Sequence, residues 1–259
     1  MSNLFKNMTT TGLEESQDRL GGGYQTLETD IYVGTFKALY AGESKGGAIS
    51  LNLVADLGNG REYKETLWIT NKQKQNFFVN KDSGKKSPLP GFTVANDLCL
   101  IATDKELSDL ETEEKVVKIY DYEAKKELPQ AVQMVTEALG KKVALGIVKT
   151  IENKTEKVGD EYVPTAETRE VNSIDKVFHP EAKVTVAEAR QGKTEGEFWD
   201  AWSKRNKGQT RDKRSIKDEA GGAAGGTGSA PPKAGGKPTS GSPAGAGKPA
   251  APKKSLFSK

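Results

Sequence analysis

The stretch from Trp68 to Phe92, WITNKQKQNFFVNKDSGKKSPLPGF, sets Lys72, Lys74, Lys81, Lys85 and Lys86 against a single acid, Asp82. Trp68, Phe77, Phe78 and Phe92 are interleaved with them. Lysines at that density neutralise phosphates, and accessible rings stack on unpaired bases at about 1–3 kcal/mol per base, whichever base it is. The stretch therefore reads as a site for single-stranded nucleic acid, with Lys64 and Trp68 as its strand-borne members. Those two alternate with Thr66 and Thr70, all on one side of a strand, so that side is expected to be wet rather than core. Ser50 and Asn52 on the neighbouring strand would give it a polar floor. Phe77 and Phe78 have a second reading, as pins that hold the loop to the body. Tyr32, Phe36 and Tyr40 fall on one side of the first strand and suit core packing as well as stacking, as do Tyr120 and Tyr122.

Catalytic groups are harder to find. Cys99 is the only cysteine and lies within an apolar run, Leu98 to Ile101; the only histidine, His179, precedes Pro180. One Cys and one His exclude a Cys/His zinc site. An inert buried thiol and a capping or surface histidine are the expected roles. Gly192-Lys193-Thr194 resembles the end of a phosphate loop, but Ala187 stands where the first glycine belongs and no strand leads into it. Pairs such as Glu113-Glu114 are commonplace in a chain that is 29% charged. The expectation is a protein that is not an enzyme and uses no cofactor or metal. A nucleic-acid-processing enzyme is the alternative that metal-dependent cleavage of an oligonucleotide would reveal. A structural virion protein is another, for which DNA binding would be absent.

Composition bounds the setting. The chain of 259 residues has a net charge of +3. Its last part, from Gly221, carries Lys233, Lys237, Lys248, Lys253, Lys254 and Lys259 with no acid, so the rest is slightly acidic and any nucleic-acid contact there is a local patch. A lone cysteine fits a reducing compartment. No apolar run reaches the length of a membrane span, and the first residues lack the apolar run of a signal peptide. The expected location is the cytoplasm, that of the host cell if the chain is phage-encoded.

Elements must position the lysines and rings. Asp30–Ala41 is rich in β-branched and aromatic residues. Ala48–Leu57 and Arg61–Thr70 alternate with period two around Gly58-Asn59-Gly60, a hairpin turn signal. A polar loop is expected over Asn71–Pro90, a helix near Val94–Ala102, a strand over Val116–Glu123 and a helix over Gln130–Leu139 ending at Gly140. Strands follow over Lys142–Glu152 and Glu170–Phe178, and an amphipathic helix over Glu197–Asn206 with Phe198, Trp199 and Trp202 on one side. A meander, a helix and further strands predict a mainly β (α+β) chain. The fold expected is an OB-type small β-barrel with insertions, one or two short helices and a C-terminal helix; a β-sandwich is its competitor. The divisions expected are a flexible arm at 1–24, the barrel at 25–190, the amphipathic helix at 191–207 and a basic tail at 208–259. The tail's Gly, Ala, Pro, Ser and Lys cannot build a core, so disorder is expected there.

Five segments carry a resemblance: DIYVGTFKALYAGES, DLGNGREYKETLWIT, PLPGFTVANDLCLIATDKELSDLETEEKVVKIYDYEAKKE, LGKKVALGIVKTIENKT and IDKVFHPEAKVTVAEAR. Over approximately residues 25–190 the chain resembles the single-stranded DNA-binding proteins of lytic bacteriophages, which use an OB fold. The resemblance implies coating of single-stranded DNA in replication, recombination or repair, with Trp68, Lys64 and the Lys72–Lys86 loop on the strand. It also implies a flexible tail that recruits replication partners. Leu256 and Phe257 near the terminus supply an apolar hook, with Lys259 suited to an acidic rim. The tail departs from the family's pattern in being basic: it would add phosphate contacts rather than compete for the DNA groove. Such a tip also suits a transcription cofactor that touches a polymerase. A homo-oligomer is open on this reading.

Overall fold

The structure is a computed structural model and describes residues 26–121, 124–159 and 161–216. The expected arm at 1–24 and the expected partner contacts at Leu256, Phe257 and Lys259 lie outside the described residues.

Three strands open the fold: β1 (Asp30–Glu43), β2 (Ile49–Asp56) and β3 (Glu62–Trp68), paired as an antiparallel meander. The turn between β2 and β3 needs positive φ at Gly58, Asn59 and Gly60 in succession, a conformation that a Cβ disfavours and that Gly and Asn tolerate. The Asp56 carboxylate accepts the Gly58 N–H at 2.8 Å and secures it. In β1 the pairing with β2 shifts between Phe36 and Ala38. This bulge at Lys37 reverses the alternation that follows. Phe36 points inward and is buried, Leu39 continues the core, and Tyr40 turns to the outer face opposite Asn52. Tyr32, Phe36 and Tyr40 therefore do not share a side, contrary to simple period two.

The expected loop at Asn71–Pro90 contains a small hairpin, β4 (Phe77–Val79) with β5 (Lys86–Pro88). It leads into α1 (Pro90–Thr103), which buries Ala95, Leu98, Cys99, Leu100 and Ile101. Burial there pushes the Cys99 thiol up to about 12. Next comes a hairpin of β6 (Glu113–Asp121) and β7 (Lys126–Met134). The helix expected over Gln130–Leu139 is replaced by strand up to Met134 and a single 3-10 turn at Thr136–Ala138. Leu128, Val132 and Met134 also fit period two, and pairing of β7 with both β6 and β1 settles the competition in favour of a strand. Gly140 does take positive φ, as the end of a short turn whose N–H bonds to the Phe36 carbonyl.

β8 (Lys142–Val158) and β9 (Glu161–Phe178) form a hairpin far longer than its alternating parts. Two short helices, α2 (Val186–Arg190) and α3 (Glu197–Asn206), follow. Thr210–Asp212, within the expected tail, forms β10 and pairs in parallel with β8.

Eight strands share one sheet, with β10, β8, β1, β2 and β3 in order, β9 beyond β8, and β7 carrying β6 from β1. The chain is mainly β with a few short helices, but the sheet is open and the expected closed barrel does not form. Among the described residues no backbone ladder joins β3 to β9. At that seam Glu65 of β3 accepts the Ile174 N–H of β9 at 2.9 Å, so a side-chain carboxylate holds the place a ladder carbonyl would fill. α1 packs against both strands and covers the inner side.

The principal core joins Phe36, Leu39, Leu51, Leu53, Leu67, Leu145 and Ile147 of the sheet with Leu98 of α1. Truncating one such leucine to alanine costs about 2–5 kcal/mol. A smaller cluster lies where α3 meets the sheet: Trp202 packs with Ala144, Val148 and Phe178, and Trp199 meets the Phe178 ring edge-on at 5.1 Å. Gly146 leaves room there, since a Cβ would come 3.2 Å from the Trp202 ring. Phe198 does not share in this burial and is 40% exposed.

Candidate nucleic-acid interface

The outer face of β1–β3 is built in cross-strand rows. Val54 faces Lys64, Asn52 faces Thr66 and Ser50 faces Trp68 across β2 and β3; Ala38, Tyr40 and Gly42 of β1 continue the three rows. The middle row is locked by hydrogen bonds: Thr66 Oγ1 donates to Asn52 Oδ1 at 2.8 Å, and Asn52 Nδ2 donates to Ser50 Oγ at 3.4 Å. Gly42 makes this possible, because a Cβ there would come 2.7 Å from Asn52 Nδ2 and 2.9 Å from Ser50 Oγ. The polar floor expected of Ser50 and Asn52 is thus present, and Tyr40 joins it through the bulge. Trp68 stands at its end, 48% exposed, while its neighbours Leu67 and Tyr63 point into the core.

The Lys64 ammonium lies 3.6 Å from Glu62 and is itself well exposed. Farther along, Lys37 bridges Asp56 and Glu62 at 3.3 and 2.9 Å, which neutralises the acids at that end. Basic charge gathers at the other end, beyond Trp68. There Asn71 nucleates a turn: its Oδ1 accepts the N–H groups of Gln73 and Gln75 at 3.0 and 2.9 Å. The turn presents Lys72 and Lys74 against the β1–β2 connection, where the Lys72 stem runs past Gly46 and Lys74 pairs with Glu43 at 3.1 Å.

The remaining predicted residues lie on the β4–β5 hairpin. Lys86 places its ammonium 4.3 Å from the centre of the Phe77 ring, a cation–π contact that commits both side chains. Phe78 is 48% exposed. Lys81 and Lys85 flank the tip, where Asn80 Oδ1 accepts the N–H groups of Asp82 and Ser83. The hairpin's root is fixed by the Leu89 N–H on the Asn76 carbonyl at 2.9 Å. Lys64 and Trp68 therefore share one face, two rows apart, and Lys72 and Lys74 lie beyond its Trp68 end. Phe77, Phe78, Lys81, Lys85 and Lys86 form a separate projection rooted beside it.

Two residues outside the expected set complete the site. Gly91, in the first turn of α1, lies on the backbone of Trp68 so closely that a Cβ would collide with the Trp68 carbonyl. Glu65 is the other: burial pushes its carboxyl above the usual range, against the hydrogen bonds from the Tyr63 hydroxyl (2.7 Å) and the Ile174 N–H. Its position on the inward side of β3, with Leu67, was open to inspection in the alternation.

Elsewhere, His179 Nδ1 accepts the N–H groups of Glu181 and Ala182 and so closes the turn after β9. Glu188 accepts from Thr185, Glu197 and Phe198 backbone N–H groups, capping α2 and α3 together. A cleft of about 510 Å³ between β9 and α3 holds Lys176, Arg205 and Arg211 beside Phe198, with Arg211 committed to Asp175 at 2.7 Å. Among the described residues no helix is long and apolar enough to cross a membrane, and no three His, Cys, Asp or Glu side chains are placed to hold a metal ion. Comparison of the chain with protein-family models, with curated proteins and with solved structures finds no match in any of the three.

Proposed function

We propose that the protein is a non-enzymatic single-stranded DNA-binding protein that coats unpaired DNA in phage-type replication or recombination. The observation that carries the reading is Trp68: a large ring half open to solvent, on a polar strand face, between Lys64 and the Lys72–Lys74 turn. A surface tryptophan with that setting offers a flat stacking platform with phosphate-binding charge on either side of it along the face. The strand order supports an OB-type architecture opened at one seam. β3, β2, β1, β8 and β9 follow the order that a five-stranded OB barrel needs, and α1 enters between its third and fourth strands. Recruitment of a replication protein by Leu256 and Phe257, with Lys259 at the rim, belongs to the same proposal.

Trp68→Ala tests it. The variant is expected to lose about 1–3 kcal/mol of single-strand affinity while its thermal unfolding stays close to that of the parent. A loss of about 3–5 kcal/mol of stability instead would assign the ring to the core.

A further inference from the structure

Beside Trp68, at the open seam between β3 and β9, lies a cavity of about 460 Å³. Trp68, Leu89, Pro90, Val94 and Ile174 supply apolar wall, and Glu65 is a polar group within it. Small-ligand sites have this size and this combination of apolar wall and few polar groups, about 300–1,000 Å³ in general. Most other polar atoms at the rim are already engaged. Thr70 Oγ1 accepts the Ile49 N–H, Thr66 Oγ1 donates to Asn52, and the Asn71 side chain holds its own turn. Glu65 differs. Both of its hydrogen bonds, from the Tyr63 hydroxyl and the Ile174 N–H, end on Oε2, which leaves Oε1 without a partner among the described residues.

We infer that this cavity takes one flipped-out base of the bound strand, with Glu65 Oε1 accepting a hydrogen bond from an exocyclic amino group. The inference rests on the single-stranded DNA reading and deepens it. Stacking on Trp68 alone accepts every base. A carboxylate does not, because it accepts from the cytosine N4 amino group and repels the carbonyl oxygen that uracil presents at the same position. The two fixed bonds on Oε2 hold the carboxylate in place, so the discrimination costs no rearrangement of Glu65. The seam itself gains a purpose: a ladder between β3 and β9 would fill the opening that the base enters.

The test uses the full chain and two oligonucleotides of equal length, oligo(dC) and oligo(dU), in competition. These differ at the base only by replacement of the amino group with a carbonyl and the accompanying ring proton. The parent protein is expected to favour oligo(dC) by about fivefold, the worth of one net hydrogen bond. Glu65→Gln, whose carbonyl oxygen is kept at the Oε2 place by the same two donors and which then turns an amino group to the base, is expected to bring the ratio to one or below. Equal affinity of the parent protein for both, with binding intact, would overturn the base pocket and leave the single-strand reading standing. Failure to bind either would overturn both. The parent protein's own preference needs no variant, so a poorly folding Glu65→Gln chain does not protect the proposal.

Discussion

Gly91→Ala is a substitution whose sign is decided by geometry. In an open helix position alanine is favoured over glycine by about 1 kcal/mol, because glycine loses more backbone entropy on folding. Position 91 is not open. A Cβ there would come 3.0 Å from the Trp68 carbonyl carbon and 3.1 Å from its nitrogen, with the carbonyl oxygen closer still. These are backbone atoms of β3, held by the pairing of Trp68 with Ser50, so they cannot rotate aside as a side chain would. Relief requires the start of α1 to lift off the end of β3. Overpacking of this kind costs about 1–3 kcal/mol or more, which exceeds the propensity gain. Net of that gain, and because the contacts are with backbone, Gly91→Ala is expected to be destabilised by about 1–2 kcal/mol, or roughly 2–8 °C in Tm for a domain of this size. Single-strand affinity should fall as well, because Trp68 and the wall at Pro90 move together. Urea unfolding gives the first quantity and an oligonucleotide titration of the folded variant the second. A variant as stable as the parent, or more stable, would refute the close approach of α1 to Trp68.

Two further predictions concern charge. Asp97 faces Lys176 and Arg190, yet burial outweighs them and raises its carboxyl from 3.8 to about 6. A folded-state value above the unfolded one penalises the folded chain above pH 6, and the penalty fades as pH falls from about 6 towards 4. Asp97→Asn should thus stabilise by about 1–2 kcal/mol at pH 7–8, after allowance for water at a partly exposed group, and by almost nothing at pH 4; a pH-independent difference in unfolding free energy would contradict this. Replacing Lys72 or Lys85 by Gln should each lower the slope of log affinity against log salt by about 0.7, one phosphate contact on a single strand, and an unchanged slope would remove that lysine from the DNA path.

Strand faces were legible where alternation was unbroken. Lys64, Thr66 and Trp68 lie outward and Leu67 inward, as period two requires, and three residues tolerant of positive φ marked the turn before them. Tyr40 was not legible, because one extra residue at Lys37 reverses the pattern and nothing in DIYVGTFKALYA announces a bulge. The outer part of the β8–β9 hairpin was missed for another reason. From Lys154 to Arg169 it is mostly polar, and its large apolar residues, Val158, Tyr162 and Val163, gather near the turn and stay exposed, as a ribbon with no core beneath it allows, so the segment carries no periodic signal. The segment at Gln130–Leu139 satisfied two periods, and only pairing with β1 and β6 chose between them. Gly91 and the free oxygen of Glu65 depend on how α1 and β9 approach β3, which is tertiary information.

The central claim is most directly tested by tryptophan fluorescence during titration with single-stranded and duplex DNA of equal length. The chain has three tryptophans. Trp202 is buried with its indole N–H on Asp175 at 2.7 Å, and Trp199 packs against Phe178, so neither is placed to report on a strand crossing the β1–β3 face. Trp68 is. The account predicts saturable quenching by single-stranded DNA that weakens with salt, disappears in Trp68→Phe, and is far weaker with duplex. Quenching of equal strength by duplex, or none by single strands that bind by another measure, would contradict it.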